Sequence, residues 1–550
     1  MATMRLGELL RAKGLLTDAQ LNVAMAQQAI TGDLIGDTLI KLGFVSSKEI
    51  AQALSEQAGI EFVSLDGYSL PEKALRLVSR EIAERTGFLP LDVENGVFTI
   101  GITNPSNILA IDTVTRISGK PPKVYMVDSE SFYDTLERSY YFLEHPIHQR
   151  IDSIINEMKN IESPSAAMVS SLTDLLIMDG IRKNTTDIHV TPASETVHVL
   201  YRIDGVLQHA HCLPKKVQSG IISRIKILSQ LDIAEQRLPQ DGSFSFSFLS
   251  KKYGMRVSTV PTIYGENVVI RILVGSGPLL RVTNLGFDEQ DTDKLRLLFS
   301  KPYGIILITG PTGSGKTTTL YAALREINLL EKNVLTVEDP VEYKLSMVKQ
   351  TEVNEKAGYD FALAGRNFMR QDPDVMLLGE IRDEETAKIA IRSSITGHLV
   401  LTTLHTNDAV TAIPRLIDLN VDKYLLSSSL LAVIAQRLVR KICPSCKKEY
   451  HLTEEEIKTL GMPELAGKIQ RAFKGMGCSV CHNTGYLGRT AIGEILIVDD
   501  TIKELIYSGA SVKAIKDVAI GNGMKTLREN GIQKAIKGIT TFREVVRVAG

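Results

Sequence analysis

The sequence predicts a multidomain α/β protein, and three observations support this prediction. The chain has 550 residues, which is enough for three to five domains at about 150 residues each. Hydrophobic residues make up 44% of the chain, an ordinary globular proportion that can fill several cores. Its second half contains four apolar runs of strand length, separated by helix-length segments: IILIT, NVLTVED, DVMLLGE and HLVLTTLH. Such runs are typical of a parallel sheet covered on both faces.

Charge and composition exclude several classes of protein. The formal net charge is −1, from 63 basic and 64 acidic residues. We therefore expect no nucleic acid as the main partner, because proteins that bind nucleic acid usually carry a basic excess. No run of about 18 uncharged apolar residues occurs, which predicts that the chain has no transmembrane helix. The N-terminus lacks the apolar core of a signal peptide, so we expect a cytoplasmic protein.

Changes in sequence pattern divide the chain into seven predicted segments. A run GSGP at 275–278 indicates a hinge. Strands are expected at 187–190, 197–203 and 254–260. The predicted segments are a tandem helical repeat (1–58), a small α+β subdomain (59–145), a linker with a helical part (146–165), an α+β domain (166–275), a strand–helix core (284–440), an insert with cysteine pairs (441–485) and a mostly helical C-terminal subdomain (486–550).

A phosphate-binding loop follows the first apolar run. GPTGSGKT at 310–317 matches G-x-x-x-x-G-K-[ST] between a predicted strand and a predicted helix. Glycines let backbone N–H groups converge on phosphate, Lys316 reaches the β- and γ-phosphates, and the Thr317 hydroxyl holds Mg²⁺. The pattern predicts a P-loop (RecA-like) nucleoside triphosphatase. The predicted ATP- and Mg²⁺-binding residues are Gly310, Pro311, Thr312, Gly313, Ser314, Gly315, Lys316, Thr317 and Thr318.

Acidic residues and a histidine follow later strands of the same core. Glu338 and Asp339 come directly after one apolar run, and Glu380 ends the next. A P-loop enzyme needs acids that hold Mg²⁺ and orient the attacking water. The carboxyl ends of parallel strands meet at the ligand edge of the sheet, so both glutamates are predicted to face the γ-phosphate. His405 ends a further strand, where it could sense that phosphate, and His398 begins the same strand.

Four of the five cysteines form two close pairs. Cys443 and Cys446, with Cys478 and Cys481, make C-x₂-C…C-x₂-C, a pattern that suits a closed structural Zn²⁺ site. Two redox C-x₂-C motifs are the alternative, but they lack the expected fold context, and disulfides are disfavoured in a cytosolic chain. The unpaired Cys212 is predicted to be a semi-buried core residue.

The N-terminus contains an internal repeat. Residues 5–28 and 34–57 align at an offset of 29, so that Gly7 meets Gly36 and Gln28 meets Gln57. Each unit has a short helical stretch ending at a glycine and a cap residue that opens a second helix. Two helical hairpins in tandem are the expected structure.

The motifs of the core resemble those of one family. GPTGSGKTTTLYAAL, LTVEDPVE, RQDPDVMLLGEIRD and TGHLVLTTLHT look like the Walker A motif, Asp box, Walker B motif and His box of the secretion ATPases of type II secretion and type IV pilus assembly. The preceding stretches TTDIHVTP and VLYRIDGVL are also similar to family signatures, although a threonine, Thr191, stands where the family usually has glutamate.

This resemblance implies a cytoplasmic homohexamer that hydrolyses ATP to drive type IV pilus assembly or type II protein secretion. It implies an inner-membrane platform protein and other cytoplasmic-membrane assembly proteins as partners, with peripheral association at the inner membrane. It also implies that a PAS-like α+β domain before the core supplies arginines to the nucleotide. The implied catalytic residues are Lys316, Glu338, Glu380, His405, Arg256 and Arg271, with Arg366, Arg370 and Arg382 as weaker candidates.

The tandem repeat resembles the N-terminal domain that binds cyclic di-GMP in a subset of these ATPases. An arginine can stack on guanine or pair with its edge, and backbone at a glycine can approach a ligand closely. The second unit departs from the family's Arg-Leu-Gly with Leu34-Ile35-Gly36. A helical docking module for a membrane partner is the alternative. The implied ligand-binding residues are Arg5, Leu6, Gly7, Gln28, Leu34, Ile35, Gly36 and Gln57.

Two other functions are consistent with a P-loop. Hexameric P-loop proteins include nucleic-acid motors, but the near-zero charge, the Asp and His boxes and the cysteine insert count against one. A slow ATP-dependent regulator or assembly scaffold is the other alternative. The cysteine insert favours assembly or secretion over pilus retraction, because retraction ATPases of the family typically lack it.

Overall fold

The computed structural model describes residues 4–65, 68, 70–273, 281–462, 465, 467, 471–478 and 480–550. The predicted hinge at 275–278 lies outside these residues. In the part of the chain that is described, no helix is both long enough and apolar enough to cross a bilayer.

The helices alternate with short strands along most of the chain. They are α1 (Leu6–Ala12), α2 (Asp18–Thr31), α3 (Ile35–Lys41), α4 (Ser47–Ala58), α5 (Glu72–Leu75), α6 (Arg80–Thr86), α7 (Ile108–Ser118), α8 (Ser129–Glu144), α9 (Ile147–Asn160), α10 (Ala166–Arg182), α11 (Gln218–Leu228), α12 (Glu289–Phe299), α13 (Lys316–Glu326), α14 (Phe361–Phe368), α15 (Glu384–Ile395), α16 (Ala412–Asp418), α17 (Lys423–Ser429), α18 (Glu454–Thr459), α19 (Asp500–Ser508), α20 (Val512–Gly521), α21 (Leu527–Ile536) and α22 (Phe542–Ala549).

The strands belong to four sheets. They are β1 (Phe88–Glu94), β2 (Val97–Ile102), β3 (Lys123–Met126), β4 (Asp187–Pro192), β5 (Thr196–Ile203), β6 (Val206–Pro214), β7 (Gln240–Phe248), β8 (Lys251–Thr262), β9 (Gly265–Leu273), β10 (Gly304–Thr309), β11 (Val334–Glu338), β12 (Lys349–Glu352), β13 (Val375–Leu378), β14 (Leu399–Leu404), β15 (Leu430–Ile442), β16 (Lys447–His451), β17 (Arg471–Gly475) and β18 (Tyr486–Ile497).

The chain forms two compact units. The first contains α1 and the chain from Ser47 through β9. The second contains Gly14–Ser46 and the chain from α12 to the C-terminus.

The first unit is built on two sheets. A three-stranded sheet has the order β1-β2-β3, and a six-stranded antiparallel sheet has the order β6-β5-β4-β9-β8-β7. Strands β4, β5 and β8 confirm the predicted strands at 187–190, 197–203 and 254–260. Helices α9, α10 and α11 share one apolar core with this second sheet.

The segment 146–165, predicted to be a linker with a helical part, contains α9. Four apolar residues at helical spacing, Ile147, Ile151, Ile155 and Met158, are buried in the core of the six-stranded sheet. Spacing of three to four residues puts them on one face of the helix, and this face holds α9 against the sheet.

One sheet organises the second unit. Its strand order is β12-β11-β13-β14-β10-β15-β18. The four predicted apolar runs form β10, β11, β13 and β14, and they pair in parallel as predicted. Each is buried over its full length, because apolar clusters cover both faces of the sheet.

Two local expectations need correction. The predicted semi-buried Cys212 is exposed, because alternation along β6 turns it outward between His211 and Leu213, which are both buried. The predicted mostly helical segment 486–550 is helical only from α19 onward. Its first residues form β18, which extends the sheet by antiparallel pairing with β15.

The repeated sequence at the N-terminus forms four helices. In the first unit α1 contacts α4, and in the second unit α2 contacts α3.

A buried ion cluster attaches the C-terminal helix to the sheet of the second unit. The Glu544 side chain on α22 is 1% exposed and accepts hydrogen bonds from Arg440 at 2.5 Å and from Arg547 at 2.7 Å. Burial alone raises the pKa of Glu544, but the two guanidinium groups outweigh it and lower that pKa from 4.5 to about 2. The Arg440 guanidinium also lies 4.0 Å from the ring centre of Tyr486.

We predict that Glu544→Gln lowers the melting temperature of the full chain at neutral pH. A pKa lowered from 4.5 to about 2 corresponds to about 3 kcal/mol of stability. This contribution is complete above about pH 4.5 and is lost as the pH falls towards 2. Scanning calorimetry at pH 7 and at successively lower pH measures the difference between the two proteins.

Asp500→Asn is the matched control, because Asp500 forms an exposed ion pair with Lys503 that contributes little to stability. A Glu544→Gln protein that melts with the wild type at pH 7 contradicts the prediction.

Candidate functional site

The P-loop lies between the end of β10 and the start of α13. Gly310, Gly313 and Gly315 have φ values of 146°, 77° and 88°, which L-residues with a side chain rarely adopt. A Cβ atom at Gly310 would lie 2.4 Å from the carbonyl oxygen of Gln436. The loop therefore needs glycine both for its backbone conformation and for its close packing on β15.

Two polar side chains of this loop are available to an anionic ligand. Lys316 Nζ donates to the carbonyl oxygens of Gly310 at 2.9 Å and Pro311 at 3.2 Å. Burial lowers the pKa of Lys316, while the negative charge of Glu380 acts in the opposite direction. Ser314 Oγ is buried without a hydrogen-bond partner among the described residues, so the loop contains a polar atom that phosphate could satisfy.

Gln436 supports the P-loop through two hydrogen bonds. The sequence pattern alone did not point to this residue. From the buried interior of β15, its Nε2 donates to Ser314 O at 2.8 Å, and its Oε1 accepts from Thr319 Oγ1 at 2.6 Å. The side chain is 2% exposed. Because Gln436 is 117 residues from Thr319, a polar residue inside an apolar strand is the only local signal for this contact.

The two glutamates predicted at the strand ends occupy different environments. Glu338 is 4% exposed. Its Oε2 accepts from Tyr321 OH at 2.5 Å, and its Oε1 accepts from Thr336 at 2.6 Å and Gln350 at 3.2 Å. Both carboxylate oxygens of Glu338 are therefore engaged by neighbouring side chains that join β11, β12 and α13.

Glu380 forms a more accessible cluster with Arg382 and His405. Its Oε1 accepts from Arg382 Nε at 2.5 Å, and its Oε2 lies 3.2 Å from His405 Nε2. The Glu380 side chain is 18% exposed and that of His405 is 52% exposed. Arg382 also lies 3.6 Å from Asp339. The ends of β11, β13 and β14 thus place charged groups at the same edge of the sheet.

The ends of β10 and β14 are joined by threonines. Thr309 Oγ1 donates to Leu404 O at 2.8 Å and accepts from the Thr406 N–H at 2.9 Å. Thr403 Oγ1 donates to Gly379 O at 2.7 Å. These bonds fix the positions of the P-loop, Glu380 and His405 relative to one another. His398 instead contacts Ser393 O and Thr396 at the start of β14, away from this edge.

The predicted arginines fall in both units. In the second unit, Arg366 pairs with Glu385, and Arg370 contacts Asn367 within α14. In the first unit, Arg271 Nε donates to Asp187 at 2.8 Å. Arg256 is exposed and lies opposite Arg271 in the β8–β9 register.

The four predicted cysteine ligands converge on one point. Their sulfur atoms all lie within 4.8 Å of one another. Three pairs, Cys443–Cys478, Cys446–Cys481 and Cys478–Cys481, are 3.8, 3.8 and 3.7 Å apart. A tetrahedral ion with Zn–S bonds of about 2.3 Å places sulfurs roughly 3.8 Å apart, so the donor set fits Zn²⁺.

Backbone groups support a thiolate at Cys481, whereas burial raises the pKa of Cys443 to about 12 and also raises the pKa of Cys446. Cys478 N–H and Gly485 N–H lie 3.2 and 3.3 Å from Cys481 Sγ. Burial works in the opposite direction, but these donors lower the pKa of Cys481 to about 7. A small apolar core formed by the insert and helices α21 and α22 packs nearby.

The residues predicted to bind cyclic di-GMP form two similar local arrangements. In the first unit, Gln57 Nε2 donates to the carbonyl of Met4 at 3.0 Å, directly before the predicted Arg5, Leu6 and Gly7. In the second unit, Gln28 Nε2 donates to the carbonyl of Asp33 at 3.0 Å, directly before Leu34, Ile35 and Gly36. Both Arg5 and Leu34 are exposed.

The family of type II/IV secretion system proteins matches residues 162–547, and the MshEN domain matches residues 58–145. A type IV pilus assembly ATPase, PilB of Myxococcus xanthus, is 38% identical over 98% of both chains. A type II secretion system protein E of Aeromonas hydrophila is 42% identical over 79% of this chain and 89% of its own.

The fold also resembles a solved structure. The Legionella pneumophila ATPase DotB matches 71% of this chain and 97% of its own, with a TM-score of 0.51 and 18% identity. Family match, relatives and P-loop geometry agree with one another. This chain belongs to the type II/IV secretion system protein family and is an ATPase.

Proposed function

We propose that this ATPase works as a homohexamer that drives either type IV pilus assembly or type II protein secretion. The observation that carries the proposal is the P-loop beside the Glu380–His405 pair on adjoining strand ends. A pilus assembly ATPase and a type II secretion protein are both similar to the chain over most of its length. We further propose that it acts at the inner membrane through a platform protein, without nucleic acid.

In the proposed reaction, the P-loop backbone binds the β- and γ-phosphates of ATP. Lys316 would move from its loop carbonyls to the phosphates, and the Thr317 hydroxyl would hold Mg²⁺, whose charge would offset that of the transferred phosphoryl group. Gln436 keeps the loop in place from β15. In this proposal the loop binds the nucleotide, and β15 holds the loop in position.

We assign the attacking water to Glu380 rather than to Glu338. Glu380 is partly exposed, and its carboxylate lies beside the His405 ring. This carboxylate can therefore orient or deprotonate water. Both glutamates have engaged oxygens, and exposure separates them: Glu338 is buried, and it organises the base of the site through Tyr321, Thr336 and Gln350. His405 senses the γ-phosphate through its contact with Glu380.

We propose that Arg256 and Arg271 of a PAS-like domain complete the nucleotide site. Their guanidinium groups stabilise charge on the phosphoryl group when the domain closes on the core, as arginine fingers do in other phosphoryl transfer enzymes. Arg256 and Arg271 are both exposed, which supports this assignment. Arg366, Arg370 and Arg382 remain the weaker candidates.

We propose that Cys443, Cys446, Cys478 and Cys481 bind one structural Zn²⁺ ion. The matching sulfur distances and the absence of a fifth protein ligand in the described residues around the cluster support a closed site. The ion stabilises the insert, whose hairpin β16–β17 has many exposed positions.

We propose that cyclic di-GMP regulates the enzyme through the N-terminal repeat. Within the second unit, Arg281 donates to the carbonyls of Leu15 and Phe44 at 3.1 and 3.3 Å. Arg325, in the last turn of α13, lies 3.5 Å from the Phe44 carbonyl. Part of the repeat therefore contacts the helix whose first turn belongs to the P-loop, which supports a route from ligand to nucleotide site.

We expect Glu380→Gln to reduce the steady-state ATPase rate by about 10²- to 10⁴-fold, the usual contribution of a general base. Binding of ATP should change little, because Lys316 and the loop are intact. Phosphate release and equilibrium binding of a fluorescent ATP analogue give the two quantities. Glu384→Gln on the neighbouring helix is the control, and a Glu380→Gln enzyme that turns over like this control removes Glu380 from the chemistry.

Removal of zinc is expected to expose the insert while the P-loop core stays folded. Structural zinc sites contribute on the order of 10–16 kcal/mol of apparent binding free energy, more than the small core of the insert can replace. Limited proteolysis with mass spectrometry after chelation should map new cuts to 441–485. Cys446→Ser should give the same cuts without chelator, and Cys212→Ser should not. Unchanged proteolysis after loss of the metal contradicts the proposal.

Cyclic di-GMP is expected to bind the full chain with measurable heat at micromolar concentration. Arg5→Ala should weaken binding by roughly 5- to 150-fold, because an arginine that pairs with guanine contributes about 1–3 kcal/mol. Arg11→Ala removes the same charge from the last turn of α1, the helix that Arg5 precedes, and should leave the affinity unchanged. No heat with the wild type, or equal losses in both variants, would favour a helical docking module instead.

A further inference from the structure

Three side chains that ligate metals converge in the first unit, away from the cysteine cluster. His148 and Asp152 belong to α9, and His211 belongs to β6. One ligand atom from each lies within 4.8 Å of the other two. The ring centres of His148 and His211 are 5.7 Å apart. None of these residues takes part in the ATP site or in the residues assigned to cyclic di-GMP.

Helix geometry supplies two of the ligands. His148 and Asp152 are four residues apart, so they lie on the same face of α9, with Nδ1 and Oδ2 3.6 Å apart. Their side chains are 64% and 54% exposed, which leaves them free to rotate and leaves the site open to ions from solvent. The helix itself is held in place by Ile151 and Ile155, which are buried in the core.

The third ligand is buried and already oriented. His211 has a side chain 3% exposed, and its Nε2 lies 3.3 Å from Asp179 Oδ2. Asp179 is completely buried on α10, where it also pairs with Arg182 and Lys183. The Asp179 carboxylate therefore lies between two cationic side chains and the His211 ring.

This arrangement defines the tautomer of His211. The Asp179 carboxylate accepts the hydrogen bond at 3.3 Å, so Nε2 of His211 carries the hydrogen. This is the one side-chain hydrogen bond that the structure describes for His211, and it leaves the Nδ1 nitrogen for a metal ion. A histidine whose second nitrogen donates to a carboxylate is the usual arrangement at metal centres, where it orients the ring and raises its basicity.

We propose that His148, Asp152 and His211 bind one divalent transition metal ion of the zinc class, with Asp179 as the positioning carboxylate. Two imidazoles and one carboxylate suit Zn²⁺, Co²⁺ and Ni²⁺ rather than Mg²⁺ or Ca²⁺, which prefer oxygen. Bonds of about 2.0 Å in tetrahedral geometry place ligand atoms roughly 3.3 Å apart, so small rotations of the two exposed side chains complete the site.

The ion would join α9 to β6 through side chains from both elements. Helix α9 lies between the two stretches that match known families, residues 58–145 and 162–547. Metal binding at this position therefore stabilises the attachment of a connecting helix to the six-stranded sheet. The role is structural or regulatory, and it is separate from hydrolysis.

The test uses the full chain with its cysteine site already loaded with zinc. Isothermal titration with Ni²⁺ counts further sites, and Co²⁺ absorption reports the ligands. We expect one additional ion per chain. Its cobalt spectrum should show ligand-field bands without the thiolate charge-transfer bands that a cysteine site gives.

Two surface substitutions separate this site from others. His148→Ala and Asp152→Asn should each weaken Ni²⁺ binding at least tenfold, and both positions are exposed, so the fold is expected to remain intact. Glu157→Gln, on the same helix, is the control for the lost charge. His209→Ala is the control for an adventitious site, because His198 and His209 form an exposed pair 3.0 Å apart.

Three results would overturn the proposal. They are the absence of a second ion at micromolar Ni²⁺, equal affinity in wild type and His148→Ala, and loss of the ion in His209→Ala instead. The ATPase rate should be the same in His148→Ala and wild type, since the proposed site lies outside the nucleotide site.

Discussion

The parallel pairing of β10 between β14 and β15 is the constraint on which the nucleotide site depends. Strand β10 is buried along its whole length, and it pairs in parallel with both of its neighbours. The P-loop at the carboxyl end of β10 therefore lies beside the ends of β13 and β14, where Glu380 and His405 lie. A side chain inside β15, Gln436, adds the third support. The arrangement of the P-loop, Glu380 and His405 therefore depends on the strand order of the sheet as much as on the sequence motifs.

Much of this edge could be predicted from sequence because the signals are local. A P-loop is a contiguous pattern, and the strand before it and the helix after it are readable from apolar runs. The same holds for Glu380, which immediately follows a strand. The different environments of Glu338 and Glu380 could not be predicted, because Tyr321 and Gln350 reach Glu338 from separate elements. Gln436 contacts Thr319, which is 117 residues away in the sequence, so this contact could not be predicted either.

The same distinction explains the differences in fold. Strands β10, β11, β13 and β14 are apolar runs of the expected length, whereas β18 pairs with β15 through contacts that no local pattern specifies. The helices of the repeat are recognisable from glycines and caps, whereas the contact of α2 with α3 joins residues of different repeats. For Cys212 the difference comes from a single position, because successive side chains along a strand point alternately to the core and to solvent. Domain boundaries and the predicted site assignments remain predictions.

Helix α13 has a nucleotide-binding loop at its first turn and Arg325, which faces the repeat, at its last. If a ligand on the repeat changes the free energy of ATP binding through this helix, then ATP changes the affinity for that ligand by the same factor, because coupling between two binding equilibria is reciprocal. An ATPase that cycles between nucleotide states would then also cycle in its affinity for the regulator. The fraction of enzyme molecules with bound regulator would then depend on the rate of ATP turnover.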